Sequence, residues 1–154
     1  MGADIHVCVE TQNEQGVWKH DSDVDVLSDR NYGIFGFLAN VRNYSQVPPL
    51  SEPRGVPVDV SEATFEELNS WSTDAHSTSY LLFSELLAFD YDQLFENRRQ
   101  RIGSNSWSGV TVPVGSGEMM SYREFLTKWF FHEFETLSAL GPPEKTRIVF
   151  WFDN

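Results

Sequence analysis

The sequence predicts a single α+β domain over residues 1–154, with a mixed or antiparallel sheet built on the first and last strands. Three observations support this class. Residues 3–10 alternate between apolar and polar side chains, which is typical of a strand with one buried face. Residues 147–152 form an almost unbroken apolar run, which is typical of a strand covered on both faces. Residues 122–140 carry aromatic and leucine side chains at helical spacing, so we expect a long C-terminal helix and shorter helices to cover the sheet.

Local signals predict the elements of the first third of the chain. A turn sequence at 13–16 indicates that the first strand returns as a hairpin over 17–20. After an exposed, aspartate-rich connection, apolar side chains at helical spacing predict a helix over 31–41, with Ser28 or Asp29 as its N-cap. Two glycines inside this helix weaken it by about 1 kcal/mol each, so we expect them to pack closely against a flat surface.

The middle of the chain is irregular. Four prolines between residues 46 and 59 exclude a helix or a central strand there and predict an ordered loop. A helix over 61–69 capped by Ser61, a short strand over 79–83 and a further helix capped by Ser84 follow.

The last third combines a loop-like segment with the longest predicted helix. Glycine and serine over 103–117 indicate a loop or a hairpin. A basic run at Arg98, Arg99 and Arg101 is typical of a solvated helix face. A capping box formed by Ser121 with Glu124 begins the C-terminal helix.

Composition narrows the class of function. The chain has 11 Lys and Arg residues against 23 Asp and Glu residues, a formal net charge of −12. Such a chain repels phosphate backbones, so direct binding of nucleic acid is not expected without a local basic site. The one cysteine, Cys8, excludes an internal disulfide and a cluster of thiolates, and is expected to be a small packed side chain. No apolar run approaches the about 20 residues of a membrane span, so we expect a soluble, intracellular protein without a membrane partner.

Two Asp-x-His tripeptides concentrate chemical groups. Asp4 and His6 lie in the first predicted strand, and Asp74 and His76 recur in the middle of the chain. Side chains two residues apart in an extended segment point the same way, so all four could converge if the two segments are neighbours. Such a set can carry out general acid/base chemistry, and His76 with Asp74 as its orienting partner would be the catalytic pair. The alternatives are that each histidine is satisfied by its neighbouring aspartate, or that a divalent Zn, Mn or Fe ion is held; no metal ligand or cofactor is assigned.

Arginines in the first third predict an anion site. Arg30, Arg42 and Arg54 could form a focused positive pocket for phosphate or carboxylate, and ion pairing with nearby acids is the alternative. Polar and aromatic neighbours complete the predicted ligand-binding set, which comprises Asp4, His6, Arg30, Asn31, Tyr32, Arg42, Glu52, Arg54, Ser77 and Ser79.

Several blocks of the sequence resemble a group of short phage and prophage proteins that open Met-Gly-(Cys/Ala)-Asp-Ile-His. The matching blocks lie at 1–6, 30–32, 41–43, 52–55, 74–77 and 150–154. The resemblance implies a phage-encoded protein acting in the cytoplasm of an infected bacterial host, and it implies no reaction. Position 3 is alanine where many relatives have cysteine, so thiol chemistry is not expected there.

From these observations we expect a pocket protein that binds, and if catalytic hydrolyses, a small anionic, nucleotide-like ligand. A phage could use such a protein to remove a host defence signal. The alternative is an acidic inhibitor that imitates the charge of DNA and covers a host defence nuclease. A virion adaptor is a third option, and a homo-oligomer is compatible with all three.

Overall fold

The computed structural model describes residues 2–154 and confirms the α+β class, with four helices and eight strands in this part of the chain. In chain order the elements are β1 (Asp4–Gln12), β2 (Trp18–His20), α1 (Tyr32–Ala39), α2 (Glu62–Ser70), β3 (His76–Leu82), α3 (Phe83–Ala88), β4 (Leu94–Asn97), β5 (Arg99–Gly103), β6 (Ser106–Thr111), β7 (Glu118–Ser121), α4 (Tyr122–Ser138) and β8 (Thr146–Asp153). Short 3₁₀ turns lie at Ser72–Asp74 and Pro143–Lys145. No helix within residues 2–154 combines the length and the apolarity that a membrane span needs.

A four-stranded antiparallel sheet is built on the first and last strands, as the sequence predicts. The strand order is β2-β1-β8-β3, so β1 and β8 are central. Every residue of β8 from Thr146 to Phe152 is buried, which explains its continuous apolar run. The β1–β2 hairpin is also confirmed, with Glu10 directly opposite His20.

The chain forms two compact units, each assembled from separated segments. We call residues 2–30, 53–89 and 130–154 the sheet unit, because they contain the four-stranded sheet. We call residues 31–52 and 90–129 the hairpin unit, because they contain the two-stranded pairs β4–β7 and β5–β6. Since neither unit is continuous in sequence, no linker marks the division.

The N-cap residues of three helices can be compared with those that the sequence predicts. Ser61 caps α2 as predicted, since its side chain accepts a hydrogen bond from the Thr64 N–H. The cap of α1 is Asn31, not Ser28 or Asp29: Asn31 is extended at φ −149°, and its Oδ1 accepts from the Ile34 N–H at 3.1 Å. Helix α3 begins at Phe83, so Ser84 lies inside it and is not its cap.

Two features of the predicted helices depend on packing. A Cβ at Gly33 would lie 3.0 Å from the Phe125 ring, so this glycine does pack against a flat surface. Helix α4 is interrupted at Thr127, where φ is 67° and ψ is 167°. After this interruption Trp129, one of the aromatic side chains that suggested a single long helix, is 69% exposed.

Strands replace some of the irregular or helical segments expected from the sequence. The basic run that includes Arg99 and Arg101 is strand β5, not a helix face, because it pairs with β6. Strands β4 and β7 had no recognised signal. Strand β3 begins at His76, three residues before the predicted start, because it pairs with β8 from Phe152 onward.

Candidate functional site

The two Asp-x-His pairs do not meet. His6 on β1 is directly opposite Trp151 on β8, whereas His76 on β3 is opposite Phe152. Paired residues of antiparallel strands point to the same face, and consecutive residues of one strand point to opposite faces. His6 and His76 therefore lie on opposite faces of the sheet, and the prediction that both pairs converge on one site is wrong.

His6 is held by residues of its own face. Its Nε2 lies 2.7 Å from Oδ2 of Asp153, and its ring centroid lies 3.9 Å from that of Trp71 and 5.9 Å from that of Trp151. The side chain is 25% exposed. The neighbouring Asp4 does not contact it as an ion-pair partner, since Asp4 pairs with an arginine. The geometry fixes the imidazole in one orientation against two indoles.

His76 is also oriented, but not by Asp74. Its Nδ1 lies 3.0 Å from the Ser77 hydroxyl, and its Nε2 contacts Oδ1 of Asn154. Asp74 is exposed in the 3₁₀ turn before β3, where its N–H donates to the Trp71 carbonyl. The expected catalytic pair is thus replaced by a hydrogen-bond chain from Ser77 through His76 to Asn154, the residue after β8.

Two of the three predicted ligand-binding arginines form bidentate ion pairs with carboxylates. Arg30 donates from Nε and Nη2 to the two Asp4 oxygens at 2.9 and 3.0 Å. This contact lowers the pKa of Asp4 below its ordinary value. Arg54 donates from Nη1 and Nη2 to the two Glu85 oxygens at 2.7 and 2.6 Å, and this contact lowers the pKa of Glu85. The ion-pair alternative therefore describes Arg30 and Arg54.

Three other predicted residues have local structural contacts. Asn31 caps α1. Ser79 is buried on β3, and its hydroxyl accepts the Arg54 N–H at 3.0 Å, which ties the proline-rich loop to the sheet. Glu52 is exposed, and its carbonyl accepts from the Ser51 hydroxyl.

The hairpin unit brings together two predicted ligand-binding residues, Tyr32 and Arg42. Tyr44 and Arg99, which were not in the predicted set, lie beside them. The Arg42 guanidinium carbon lies 5.8 Å from the centroid of the Tyr32 ring. The Arg99 guanidinium carbon lies 5.9 Å from the same centroid and 5.4 Å from that of Tyr44. Arg42 Nη1 also donates to the Tyr44 hydroxyl at 3.3 Å. We call Tyr32, Arg42, Tyr44 and Arg99 the arginine–tyrosine cluster.

Backbone contacts place the members of the arginine–tyrosine cluster. Tyr32 is the first residue of α1, immediately after its cap. Arg42 has φ 48°, a turn conformation that redirects the chain after α1. The carbonyl of Tyr44 accepts from the Thr111 hydroxyl at 2.7 Å, which joins this turn to the end of β6. All four side chains are half-buried, so the cluster is partly open to solvent.

Arg99 is the chemically distinctive member of this cluster. Its Nε donates to the Ser108 carbonyl at 2.6 Å. Within residues 2–154 its two terminal nitrogens make no hydrogen bond, and no carboxylate lies at ion-pair distance. A guanidinium has five N–H donors, and those on the terminal nitrogens are geometrically suited to two oxygens of one anion. By contrast, the neighbouring Arg101 pairs with Glu118 and lies 4.1 Å from the Trp107 ring centroid.

The net negative charge of the chain belongs to the sheet unit. This unit holds 17 of the 23 Asp and Glu residues and five of the 11 Lys and Arg residues, a formal charge of −12. The hairpin unit holds the remaining six of each and is formally neutral. The net charge of the chain is therefore not a property of the unit that contains the arginine–tyrosine cluster.

One group of side chains in the described part of the chain has donor atoms placed closely enough for a metal ion. It consists of Cys8, His20 and Glu67, all in the sheet unit. Burial, together with the charge of Glu67, raises the pKa of the Cys8 thiol to about 12. Cys8 is buried, as expected from the sequence, but its polar neighbours were not anticipated.

Arg99, His20 and Glu67 were not predicted as site residues, for different reasons. Arg99 belongs to a basic run that is typical of a solvated helix face. The alternation of a strand, which puts Arg99 and Arg101 on one side, could have indicated its position. His20 could have been found from the hairpin, because a paired strand brings it beside Glu10. No sequence pattern places Glu67 near Cys8, because that contact depends on how α2 packs on the sheet.

No protein-family model matches this chain, and neither a curated protein nor a solved structure is significantly similar to it.

Proposed function

We propose that the protein binds a small anionic, nucleotide-like ligand at the arginine–tyrosine cluster. The observation that carries this proposal is the Arg99 side chain, whose terminal N–H groups are not used by residues 2–154 and whose ring neighbours are tyrosines. A half-buried guanidinium stabilised by aromatic faces gains about 0.5–2 kcal/mol from each such contact, and it keeps its hydrogen-bonding edge available for phosphate.

The placement of Arg42 supports the same proposal. Arg42 and Arg99 both lie over Tyr32, so their guanidinium groups are no farther apart than the sum of the two ring distances. The positive charge of Arg42 therefore adds to the attraction of an anion towards Arg99. The half-buried Tyr32 and Tyr44 rings also offer aromatic surface beside which a planar base can pack.

The proposed role is binding, and it assigns no step to His76 or Asp74. In the infected bacterial cytoplasm implied by the resemblance to phage proteins, sequestering a nucleotide-like defence signal requires affinity without turnover. This is the role we propose for the cluster.

Calorimetric titration tests the proposal. Suitable probes are cyclic adenosine monophosphate, a cyclic diadenylate, inorganic pyrophosphate as charge without a base, and adenosine as a base without charge. Arg99→Gln should weaken binding of the anionic probes about 10- to 100-fold, because a hydrogen bond to a charged group contributes about 1.5–3 kcal/mol. Arg101→Gln is the matched control, since Arg101 lies in the same strand but pairs with Glu118. Equal losses in both variants, or no binding of any anionic probe, would contradict the proposal.

A second candidate is the acidic inhibitor that imitates DNA, and the charge of −12 in the sheet unit favours it. Exposed carboxylates are frequent in the connection after β2 and in α2, including Asp23, Asp25, Asp29, Glu62 and Glu66. Replacing the three aspartates by asparagine should abolish inhibition of a DNA-binding nuclease and leave nucleotide binding unchanged. Inhibition that survives these replacements would remove this candidate.

A further inference from the structure

Three potential metal ligands meet on one face of the four-stranded sheet. Cys8 lies on β1 two residues before Glu10, so both point to the same face. Glu10 pairs directly with His20 on β2, which places His20 on that face as well. Helix α2 packs against this face: Leu68 and Cys8 belong to one buried cluster, and Glu67 precedes Leu68 in the helix. Two strands and one helix thus each supply one ligand.

The donor atoms of these residues are already close. One atom each of Cys8, His20 and Glu67 lies within 4.8 Å of the other two, and Cys8 Sγ is 3.8 Å from Glu67 Oε2. A tetrahedral Zn²⁺ has bonds of about 2.0–2.3 Å to N, O and S, so its ligand atoms stand roughly 3.3–3.8 Å apart. The sulfur–carboxylate distance therefore fits, and the other two donor separations exceed the tetrahedral values by at most about 1.5 Å. Glu67 is exposed and His20 half-buried, so rotamer changes can close these gaps.

We propose that Cys8, His20 and Glu67 form a zinc site with three protein ligands. The set combines a thiolate, an imidazole and a carboxylate, which suits Zn²⁺ and disfavours Mg²⁺ and Ca²⁺, since those ions take oxygen ligands. Binding releases the proton of the Cys8 thiol, and the thiolate and the Glu67 carboxylate then neutralise the ion, so the occupied site is formally neutral.

Three protein ligands leave a fourth position for water or for a ligand atom. This is the coordination of zinc sites that exchange a ligand, whereas purely structural zinc sites are filled by four side chains. Glu67 is on the solvent side of the group, and Cys8 is on the buried side at 2% exposure. The proposal is independent of the arginine–tyrosine cluster.

The competing explanation is purely structural. A buried thiol can act as a small apolar side chain with a weak hydrogen bond to Glu67, and His20 can be a half-exposed strand residue. In that case no divalent ion binds at this position with useful affinity.

Cobalt substitution separates the two explanations. Co²⁺ bound through a thiolate gives a sulfur-to-metal charge-transfer band in the near ultraviolet, and tetrahedral Co²⁺ gives intense visible absorption. The wild-type protein titrated with Co²⁺ should show both bands, and Zn²⁺ should remove them by displacement. Cys8→Ala should lose the charge-transfer band. Loss of a residue that only hydrogen-bonds to a metal ligand typically weakens metal binding about 10- to 100-fold. His20→Gln and Glu67→Gln each remove a direct ligand, so each should weaken Zn²⁺ binding by at least as much.

Matched controls come from α4. His132→Gln and Glu135→Gln change an exposed His–Glu pair that has no thiol, so both should bind Zn²⁺ as the wild type does. X-ray absorption of the zinc-loaded wild-type protein gives the ligand set without any variant, and we expect one sulfur and the rest nitrogen or oxygen. A zinc shell without sulfur, or affinity that falls equally in the α4 controls, would overturn the proposal. So would the absence of a charge-transfer band in the wild-type protein.

Discussion

Arg147 and Glu10 form an ion pair in which both side chains are buried, with Nη2 2.7 Å from Oε1 and exposures of 4% and 0%. The two residues are directly opposite each other on β8 and β1. Arg147 Nη1 also pairs with Asp59 at 2.8 Å, and the Trp18 ring centroid lies 4.0 Å from the guanidinium carbon. These contacts join the central strands to the proline-rich loop, so the pair organises the sheet unit.

We predict that Arg147→Ala destabilises the protein by about 3–5 kcal/mol. Removing one partner leaves Glu10 as an uncompensated buried charge. Urea denaturation measures the free energy of unfolding. Arg30→Ala is the control: its pair with Asp4 is about half exposed, so the loss should be much smaller than that of Arg147→Ala. A loss below 1 kcal/mol for Arg147→Ala would show that Glu10 is solvated or neutral.

The same network predicts a loss of stability in acid. Burial acts to raise the pKa of Glu10, but hydrogen bonds from Ser61 and Arg147 outweigh it and hold the pKa below its usual value. The hydrogen bond from Arg147 likewise lowers the pKa of Asp59. A lowered folded-state pKa contributes stability that is present above the unfolded pKa of about 4 and is lost as the pH falls through the folded value. The free energy of unfolding should therefore fall below about pH 4, and less steeply in Asp59→Asn. Identical slopes would exclude Asp59 as a contributor.

Arg54→Ala should lower the melting temperature, because its ion pair with Glu85 also orders the start of α3. Glu85 Oε1 accepts the Leu82 N–H at 3.0 Å as well as Arg54. At 29% and 33% exposure the pair is worth about 0.5–1 kcal/mol. Arg54→Lys should recover only part of the loss, since lysine lacks the planar fork. An unchanged melting temperature, combined with weaker binding of an anionic probe, would instead make Arg54 a ligand-binding residue.

His6 and His76 should behave as independent sites. They lie on opposite faces of the sheet, and β8 separates their strands, which places them roughly 10 Å apart across it. Substitutions at such positions usually add within about 0.3–0.5 kcal/mol. We expect His6→Ala and His76→Ala to have additive effects on the free energy of unfolding. A coupling energy above 1 kcal/mol would show a shared network across the sheet.

The sequence predicted those parts of the fold that depend on local patterns. The alternation of β1, the apolar run of β8, the hairpin to β2 and the Ser61 cap all have signals within a few residues. The interruption at Thr127 has no such signal. The pairing of β4 with β7 has none either, because it joins strands that are separated in the sequence. A polar, charged strand such as β5 also lacks an apolar face to reveal it.

The candidate site was predicted only in part, because residues that are close in the sequence need not be close in the folded protein. Tyr32 and Arg42 were identified, but they lie with Arg99, 57 positions after Arg42 in the sequence, and not in a pocket with Arg30 and Arg54. The register between β1, β8 and β3 separates His6 from His76, and a single-residue difference in register decides the face. No pattern in one sequence encodes that register directly.

The most direct test of the proposed ligand site is a titration followed through the arginine side-chain Nε–H signals in nitrogen-15 NMR spectra. Cyclic diadenylate and inorganic pyrophosphate are the probes, and Arg99→Gln assigns the decisive signal. We predict that the Arg99 and Arg42 signals shift on titration, while those of Arg101 and Arg147 stay in place. Shifts confined to Arg30 and Arg54, or no shift of the Arg99 signal at saturating probe, would contradict it.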